Sequence, residues 1–378
     1  MSRQFFSMML QHVPADVESI VIVTHLVPDA DEFVLALNDK VPVSAVIPKP
    51  SSLNRSVLSK IQRDVPVLNY SRRTIASQPA AFLSDLKKRV CDKRFAIIDT
   101  GGYFSHVLDD MAKPNEFNLA GIVEDTENGH KKYESFLASN DERRQLPFPI
   151  LSVARSKLKE PEDFLVGQAV VFSADALLRE CGILLTGKQA AVLGYGKIGS
   201  SIAANLRAKG VRVDVHDSNP VRQALACAHG YSLRSRAAVL SQADVIFGAT
   251  GNKSVRAADI DAMKEGAFIF TATSGDDEID GYDDILARRK PSPLHPRVCA
   301  LASRKGATYL CNDGNAINFM HGGVLGPFIK LVQAELIFAL SQLDTAHRGR
   351  IRHLSDESKR FIADLWLSHF HPPRLNEQ

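Results

Sequence analysis

The sequence predicts an α/β chain built from two doubly wound parallel-sheet domains, with a nucleotide-type turn in the second domain and helices at the C-terminal end. Three observations lead there. At 378 residues the chain exceeds the ~250–300 that one core supports, and 45% of it is hydrophobic. Short β-branched runs alternate with helical stretches in two successive series. Between the series, "AAVLGYGKIGSS" (190–201) reads as a strand, a glycine turn and the start of a helix.

In the first series the predicted strands are "SIVIVTH" (19–25), "PVSAVI" (42–47), "VPVLNY" (65–70), "FAIIDTGG" (95–102), "AGIVED" (120–125) and "PILSV" (149–153). Functional groups of open parallel sheets gather where strands end, which puts His25, Asp99, Glu124 and Asp125 on one rim. Any one of them alone fits better as a polar residue closing a strand or capping a helix. The charged stretch "ARSKLKEPEDF" (154–164) reads as a link, and "LVGQAVVFSADALLRECGILL" (165–185) as a buried helix leading into the second domain.

The second series restarts after Gly187 with strand "QAAVL", a helix over 198–209, then strands "VRVDVHD" (211–217), "DVIFGATG" (244–251), "AFIFTAT" (267–273) and "ATYLCN" (307–312). Two helical tracts follow, "GVLGPFIKLVQAELIFALSQL" (323–343) and "SDESKRFIADLWLSHF" (355–370), the latter with Ser355 as N-cap.

Composition excludes several classes. Lys plus Arg exceed Asp plus Glu by only 46 to 43, with the charges interspersed, so nucleic acid is not an expected partner. The five cysteines lack metal-ligand spacing, so no metal is expected, and reduced, mostly buried thiols in a cytoplasm fit best. The first residues hold an apolar patch too short for a signal segment, and no run of 18 apolar residues follows, so a soluble cytoplasmic protein away from membranes is expected.

The glycine turn carries the most chemistry. Gly194 permits the tight turn, Gly196 lets the backbone approach a pyrophosphate, and Gly199 lets helix and strand pack closely. The phosphates would sit on the helix N-terminus at Lys197 and Ile198, where unpaired N–H groups favour an anion. Asp217 closes the next strand, eighteen residues after Gly199, where a carboxylate accepts from both adenosine ribose hydroxyls and repels a 2'-phosphate. NAD, rather than NADP, is therefore the expected cofactor. Thr250, Gly251 and Asn252 in "GATGN" (248–252) read as the next element of the same site.

Six segments coincide in order and spacing with one family: "IDTGG" (98–102), "GIVEDTENG" (121–129), "SVARSKLKEPEDFLVG" (152–167), "GYGKIG" (194–199), "TATSGDDEID" (271–280) and "GNAIN" (314–318). Over about residues 19–340 the chain resembles the S-adenosylhomocysteine hydrolase family. The resemblance implies two Rossmann-like domains, with a substrate domain over 1–163 and an NAD domain over 164–323. Residues 324–378 would then pack back on the substrate domain or a neighbouring subunit of a homo-oligomer, a dimer or tetramer.

It also implies chemistry. Tightly held NAD would oxidise a ribose 3'-hydroxyl temporarily, the ketone would acidify the C4' hydrogen, a 5' thiol would leave, water would add and the ketone would be reduced back. On that scheme Lys159 helps deprotonate the 3'-hydroxyl, with Asp163 four residues on, and a base of that kind needs burial or a neighbouring cation. Asp125 takes the place of a ribose-binding glutamate, with Thr126 beside it. His25 matches a proton donor for the leaving group, and Asn318 the asparagine that meets the nicotinamide carboxamide.

The departures are concentrated. Asp99 is kept, but Thr100 stands where the family has a second carboxylate, and Phe164 where it has an asparagine. Ser274 and Leu325 occupy the positions of two histidines, with His321 close by as a substitute for the second. The stretch 47–56 lacks the family's substrate-loop pattern, and the tail "HPPRLNEQ" lacks its lysine and tyrosine. Each lost polar partner should cost the former ligand ~1–3 kcal/mol. The expectation is thus an adenosylhomocysteinase-like NAD-dependent hydrolase or oxidoreductase acting on a nucleoside or related sugar compound. A true hydrolase with an altered pocket and a non-catalytic NAD-binding regulatory or scaffold protein are the alternatives. A 2-hydroxy acid dehydrogenase is a weaker reading, because no arginine, acid and histidine set has the required spacing.

Overall fold

The computed structural model describes residues 2–139, 146–346 and 348–371, so the tail past His371 lies outside the described residues. The chain divides into two compact units, Met1–Glu160 with Gly326–Gln378, and Pro161–Leu325.

In the first unit, β1 (Ser19–Leu26), β2 (Val43–Leu53), β3 (Phe95–Asp99), β4 (Leu119–Glu124) and β5 (Ile150–Ser152) form a parallel sheet in the order β5-β4-β3-β1-β2. Ile351–Arg352 adds a short parallel edge beside β5. Successive side chains of a strand face opposite sides. Ile20 and Ile22 accordingly join a core with Leu331 and Ile337 of the helix Phe328–Leu340, whereas Val21 and Val23 join Phe82 and Leu86 on the other face. Both faces are covered, as an all-parallel sheet requires. The last helix, Asp356–Phe370, is capped as expected, with Ser355 Oγ accepting from Ser358 N at 3.1 Å.

Three expectations are corrected. Residues 65–70 are not a sheet strand: only Val67 bridges, to Val46. Pro66 has no N–H to donate, and a proline in such a run confines pairing to an edge. The stretch 154–164 is not an open link, because a 3-10 turn at Lys157–Lys159 runs into the helix Glu160–Glu180. Ser156 Oγ accepts from Leu158 N at 3.2 Å, and Pro161 falls in the first helical turn, where the missing donor costs nothing. The thiols are free but not mostly buried: Cys311 is buried, Cys181 and Cys299 are half-buried, and Cys91 and Cys227 are exposed.

The second unit holds β6 (Gln189–Leu193), β7 (Arg212–His216), β8 (Ser232–Leu233), β9 (Val245–Gly248), β10 (Phe268–Thr271), β11 (Lys290–Pro291), β12 (Val298–Ser303) and β13 (Gly306–Cys311). Their order is β11-β12-β13-β10-β9-β6-β7-β8, parallel except for the antiparallel pairs β11–β12 and β12–β13. Ala190 and Val192 face one core, Ala191 and Leu193 the other. Among the described residues no helix is long and apolar enough to cross a membrane, and no cluster of His, Cys, Asp and Glu suits a metal ion.

Candidate active site and cofactor site

The strand order of the first unit reverses between β3 and β1, and ligands of open parallel sheets settle beyond the C-terminal strand ends at such a reversal. His25 lies near the end of β1, Asp99 ends β3 and Glu124 ends β4. Glu124 is fully buried and is surrounded by donors. Its Oε1 accepts from Gly101 N (3.0 Å), Thr126 N (2.7 Å) and Thr126 Oγ1 (2.6 Å), and its Oε2 from Gly102 N (3.1 Å). Gly129 must be glycine, since a Cβ there would run into this carboxyl.

Asp99, also fully buried, accepts from Tyr133 Oη and from Phe104 N at 3.3 Å, while its Oδ1 has no hydrogen-bond partner. Burial and the neighbouring Asp99 push Glu124 up to about 8. Burial also raises Asp99, against the bonds from Tyr133 and Phe104. Burial thus disfavours ionisation of both carboxyls, and the charge of Asp99 adds to this at Glu124.

The residue after β4 turns the other way. Asp125 Oδ1 accepts from Lys159 Nζ at 2.8 Å, and both side chains are largely enclosed. Behind Lys159, buried Glu335 of the helix 328–340 is pushed up to about 7 by burial, against bonding from Ser156 and the lysines Lys359 and Lys159.

His25 Nδ1 lies 2.5 Å from Ser52 Oγ. Burial, then Lys49, then Lys159 hold its pKa well below the ordinary histidine value. These surroundings disfavour the charged imidazolium at His25. The first unit brings His25, Asp99, Asp125, Thr126 and Lys159 to one rim, whereas Asp163 belongs to the second unit, where Lys197 Nζ is 3.3 Å from its Oδ2.

In the second unit the reversal falls between β6 and β9, with the glycine turn after one and "GATGN" after the other. Gly194 adopts φ +98°, and a Cβ on it would stand 2.7 Å from Ala249 O. A Cβ on Gly199 would strike Gly194 O. The fold therefore needs both glycines. Gly196 differs: a Cβ there would meet only the end of Arg222, 2.7 Å away, and a flexible side chain can move. Bare backbone at Gly196 is what a pyrophosphate needs and the fold does not.

Asp217 is buried and accepts from Tyr195 N (2.6 Å) and Asn219 N (2.8 Å). Each carboxylate oxygen retains a lone pair for a ribose hydroxyl. Ile198 packs against the apolar core, leaving only its backbone for a phosphate. Asn318 is buried with Oδ1 unpartnered, an acceptor matched to a carboxamide N–H. These features fit NAD.

Thr250 Oγ1 and Gly251 N bond to the two oxygens of Glu278, at 2.9 and 2.7 Å, and Asn252 N bonds to Thr250 Oγ1 at 2.9 Å. Ser274 precedes the short helix Gly275–Glu278, its carbonyl accepting from Asp277 N and Glu278 N at 3.0 Å. His321 Nδ1 lies 3.0 Å from Ser173 Oγ, and its ring meets Phe172 edge-on.

Sequence reasoning missed Lys49, Tyr133, Glu278 and Glu335. Buried acids inside "GDDE" and "QAELIF" were the available signal for the last two. Nothing local marks Lys49 or Tyr133.

Residues 170–320 match the family described as S-adenosyl-L-homocysteine hydrolase, NAD binding domain. The chain is 28% identical over 308 residues to an adenosylhomocysteinase from Thermotoga maritima, covering 79% of this chain and 74% of that protein. Among solved structures it is similar to a glyoxylate reductase from Paecilomyes thermophila (15% identity, TM-score 0.43, 86% of this chain and 95% of that one). It is likewise similar to the apo D-lactate dehydrogenase from Escherichia coli (14% identity, TM-score 0.44, 86% and 97%). Residues 170–320 are thus an NAD-binding domain of the S-adenosyl-L-homocysteine hydrolase kind, and over most of its length the chain is similar to an adenosylhomocysteinase.

Proposed function

We propose that the protein acts on a nucleoside or a related sugar compound by oxidising a ribose-type 3'-hydroxyl, transiently or in net, with elimination or hydration at C5' as the extension of that chemistry. The observation that carries the reading is the enclosed Lys159–Asp125 pair, 2.8 Å apart, at the rim where the first unit's strands end. NAD, when bound, supplies the two-electron oxidant, held by Gly194, Gly196, Gly199, Asp217 and Asn318.

The chain's own groups divide the remaining work. An ammonium bonded to Asp125 has no lone pair and cannot take a proton. Vicinal hydroxyls that donate to Asp125 compete for its lone pairs and loosen the pair, so Lys159 can release one proton to solvent and then, as the neutral amine, accept the proton of the 3'-hydroxyl. Asp163, four residues on in the helix that starts at Glu160, is the second carboxylate of this reading. Thr126 is tied to Glu124 and holds the loop carrying Asp125 in place. His25, neutral at its Ser52 contact, serves as a hydrogen-bonding group near C5'.

The test is to incubate purified protein with adenosine and other nucleosides, denature it, and measure the released NAD+ and NADH. Conversion to NADH with one nucleoside supports the reading and identifies the sugar class. Bound NAD that no nucleoside reduces overturns it in favour of a non-catalytic NAD-binding protein.

A further inference from the structure

We infer that Arg222 is a cofactor-binding residue, whose guanidinium holds the pyrophosphate of NAD together with the backbone N–H groups of the glycine turn. The inference concerns the second unit alone and stands whichever substrate the first unit takes.

Two helices start beside the turn. The helix Lys197–Ala208 has Gly196 as its N-cap, with no side-chain cap. Its leading N–H groups therefore keep their capacity for an anion, which the helix dipole also favours. The helix Pro220–Ala228 follows Asp217 and is fastened to it. Asn219 N donates to Asp217 Oδ1 at 2.8 Å, Gln223 Nε2 donates to Asp217 O at 2.6 Å, and Asn219 Oδ1 accepts from Val221 N at 2.9 Å. These bonds fix the stem of Arg222, and its guanidinium reaches back to the turn. Nη1 lies 2.7 Å, Cζ 3.5 Å and Nη2 3.8 Å from the point that a Cβ on Gly196 would occupy. The charge thus rests on the bare backbone that a pyrophosphate approaches.

Nothing in the fold explains that placement. Arg222 is exposed, and among the described residues none forms a hydrogen bond or ion pair with it. It is the third residue of its helix, in the first turn, where the dipole favours acids and opposes a cation. A local rule broken without structural return marks a functional position. Lys197, at the start of the other helix, lies 3.3 Å from Asp163, so its charge is already met within the protein. A phosphate resolves the mismatch at Arg222. The planar guanidinium offers paired donors to its oxygens, and the anion suits the N-terminal ends of both helices.

Fluorescence titration of NAD-free protein with NADH, and displacement of the NADH by ADP, read the cofactor site directly. Arg222→Gln should bind both NADH and ADP at least about tenfold more weakly, as expected for loss of a charge-assisted contact. Arg222→Lys should keep part of the affinity, because it retains the charge and loses the planar fork. Added salt should weaken NADH binding more in the wild type than in Arg222→Gln, since an exposed charge contact is screened. The thermal midpoint of NAD-free Arg222→Gln should be no lower than that of the wild type, because a cation leaves the first turn of a helix.

Unchanged NADH or ADP affinity in Arg222→Gln, equal salt dependence in the two proteins, or no NADH binding by the wild type overturns the inference. A lower thermal midpoint in Arg222→Gln also overturns it, by giving the side chain a role in the fold. A loss seen with NADPH and not with NADH overturns it as well, by assigning the guanidinium to a 2'-phosphate.

Discussion

Lys159 Nζ and Asp125 Oδ1 are 2.8 Å apart, with side chains 8% and 16% exposed, although 34 positions separate them in the chain. Removing one member of such a pair leaves an enclosed, uncompensated charge. Asp125→Asn and Lys159→Met should each cost about 3–5 kcal/mol in chemical denaturation. Each should also lower nucleoside-driven NADH formation by about 10²-fold or more. The double change Lys159→Met with Asp125→Leu should recover much of the stability and none of the activity. Recovered activity would make the pair purely structural.

Glu124 should make stability depend on pH in an unusual direction. Its folded-state pKa of about 8 lies above the unfolded value near 4.5, so the folded chain binds the extra proton between those values. Stability then falls as pH rises through that window, opposite to a salt-bridged carboxylate. Denaturation midpoints measured between pH 5 and 8 should decline for the wild type, and Glu124→Gln should flatten the slope.

The two glycines of the turn should respond differently. Gly199→Ala forces a Cβ onto Gly194 O and should lower stability by about 1–3 kcal/mol or prevent folding of the second unit. Gly196→Ala displaces only Arg222, so thermal unfolding of NAD-free protein should change little while NAD affinity drops at least about tenfold. Equal stability losses in the two variants would refute the division of labour.

Asn318 offers a complementary case. Its Oδ1 is buried without a partner, so Asn318→Ala removes an unsatisfied acceptor. The NAD-free protein should be no less stable, and NAD should bind about tenfold more weakly by fluorescence titration. A clear loss of NAD-free stability would show that the amide serves the fold instead.

His25 should stay neutral in NMR titrations down to well below pH 6.5, since burial and two lysines oppose its charge. Lys49→Gln should move its titration upward, and an unchanged value would remove Lys49 from its surroundings.

Much of this molecule was readable along the chain. The glycine turn, the strand before it, the helix after it and Asp217 are contiguous signals, and each expresses a local rule of backbone geometry. The two alternating series gave the two sheets because a period of two and apolar runs are properties of single segments. Residues 65–70 were misread because their composition suits a strand while Pro66 limits their pairing, and the start of the helix at Glu160 was hidden by its charges.

The sequence by itself determined the two α/β units, the cofactor turn and the candidate acids near the strand ends. Tertiary structure alone decided what those acids do. Glu124 and Asp125 are adjacent, yet one is buried among backbone donors of the Gly101–Gly102 turn and the other meets Lys159. Which strands lie side by side is set by the order β5-β4-β3-β1-β2, and that order is what carries Lys49 over β1 to Thr100 and brings Tyr133 to Asp99. A segment's periodicity says which face it buries, but burial shifts a pKa only through neighbours that come from other segments.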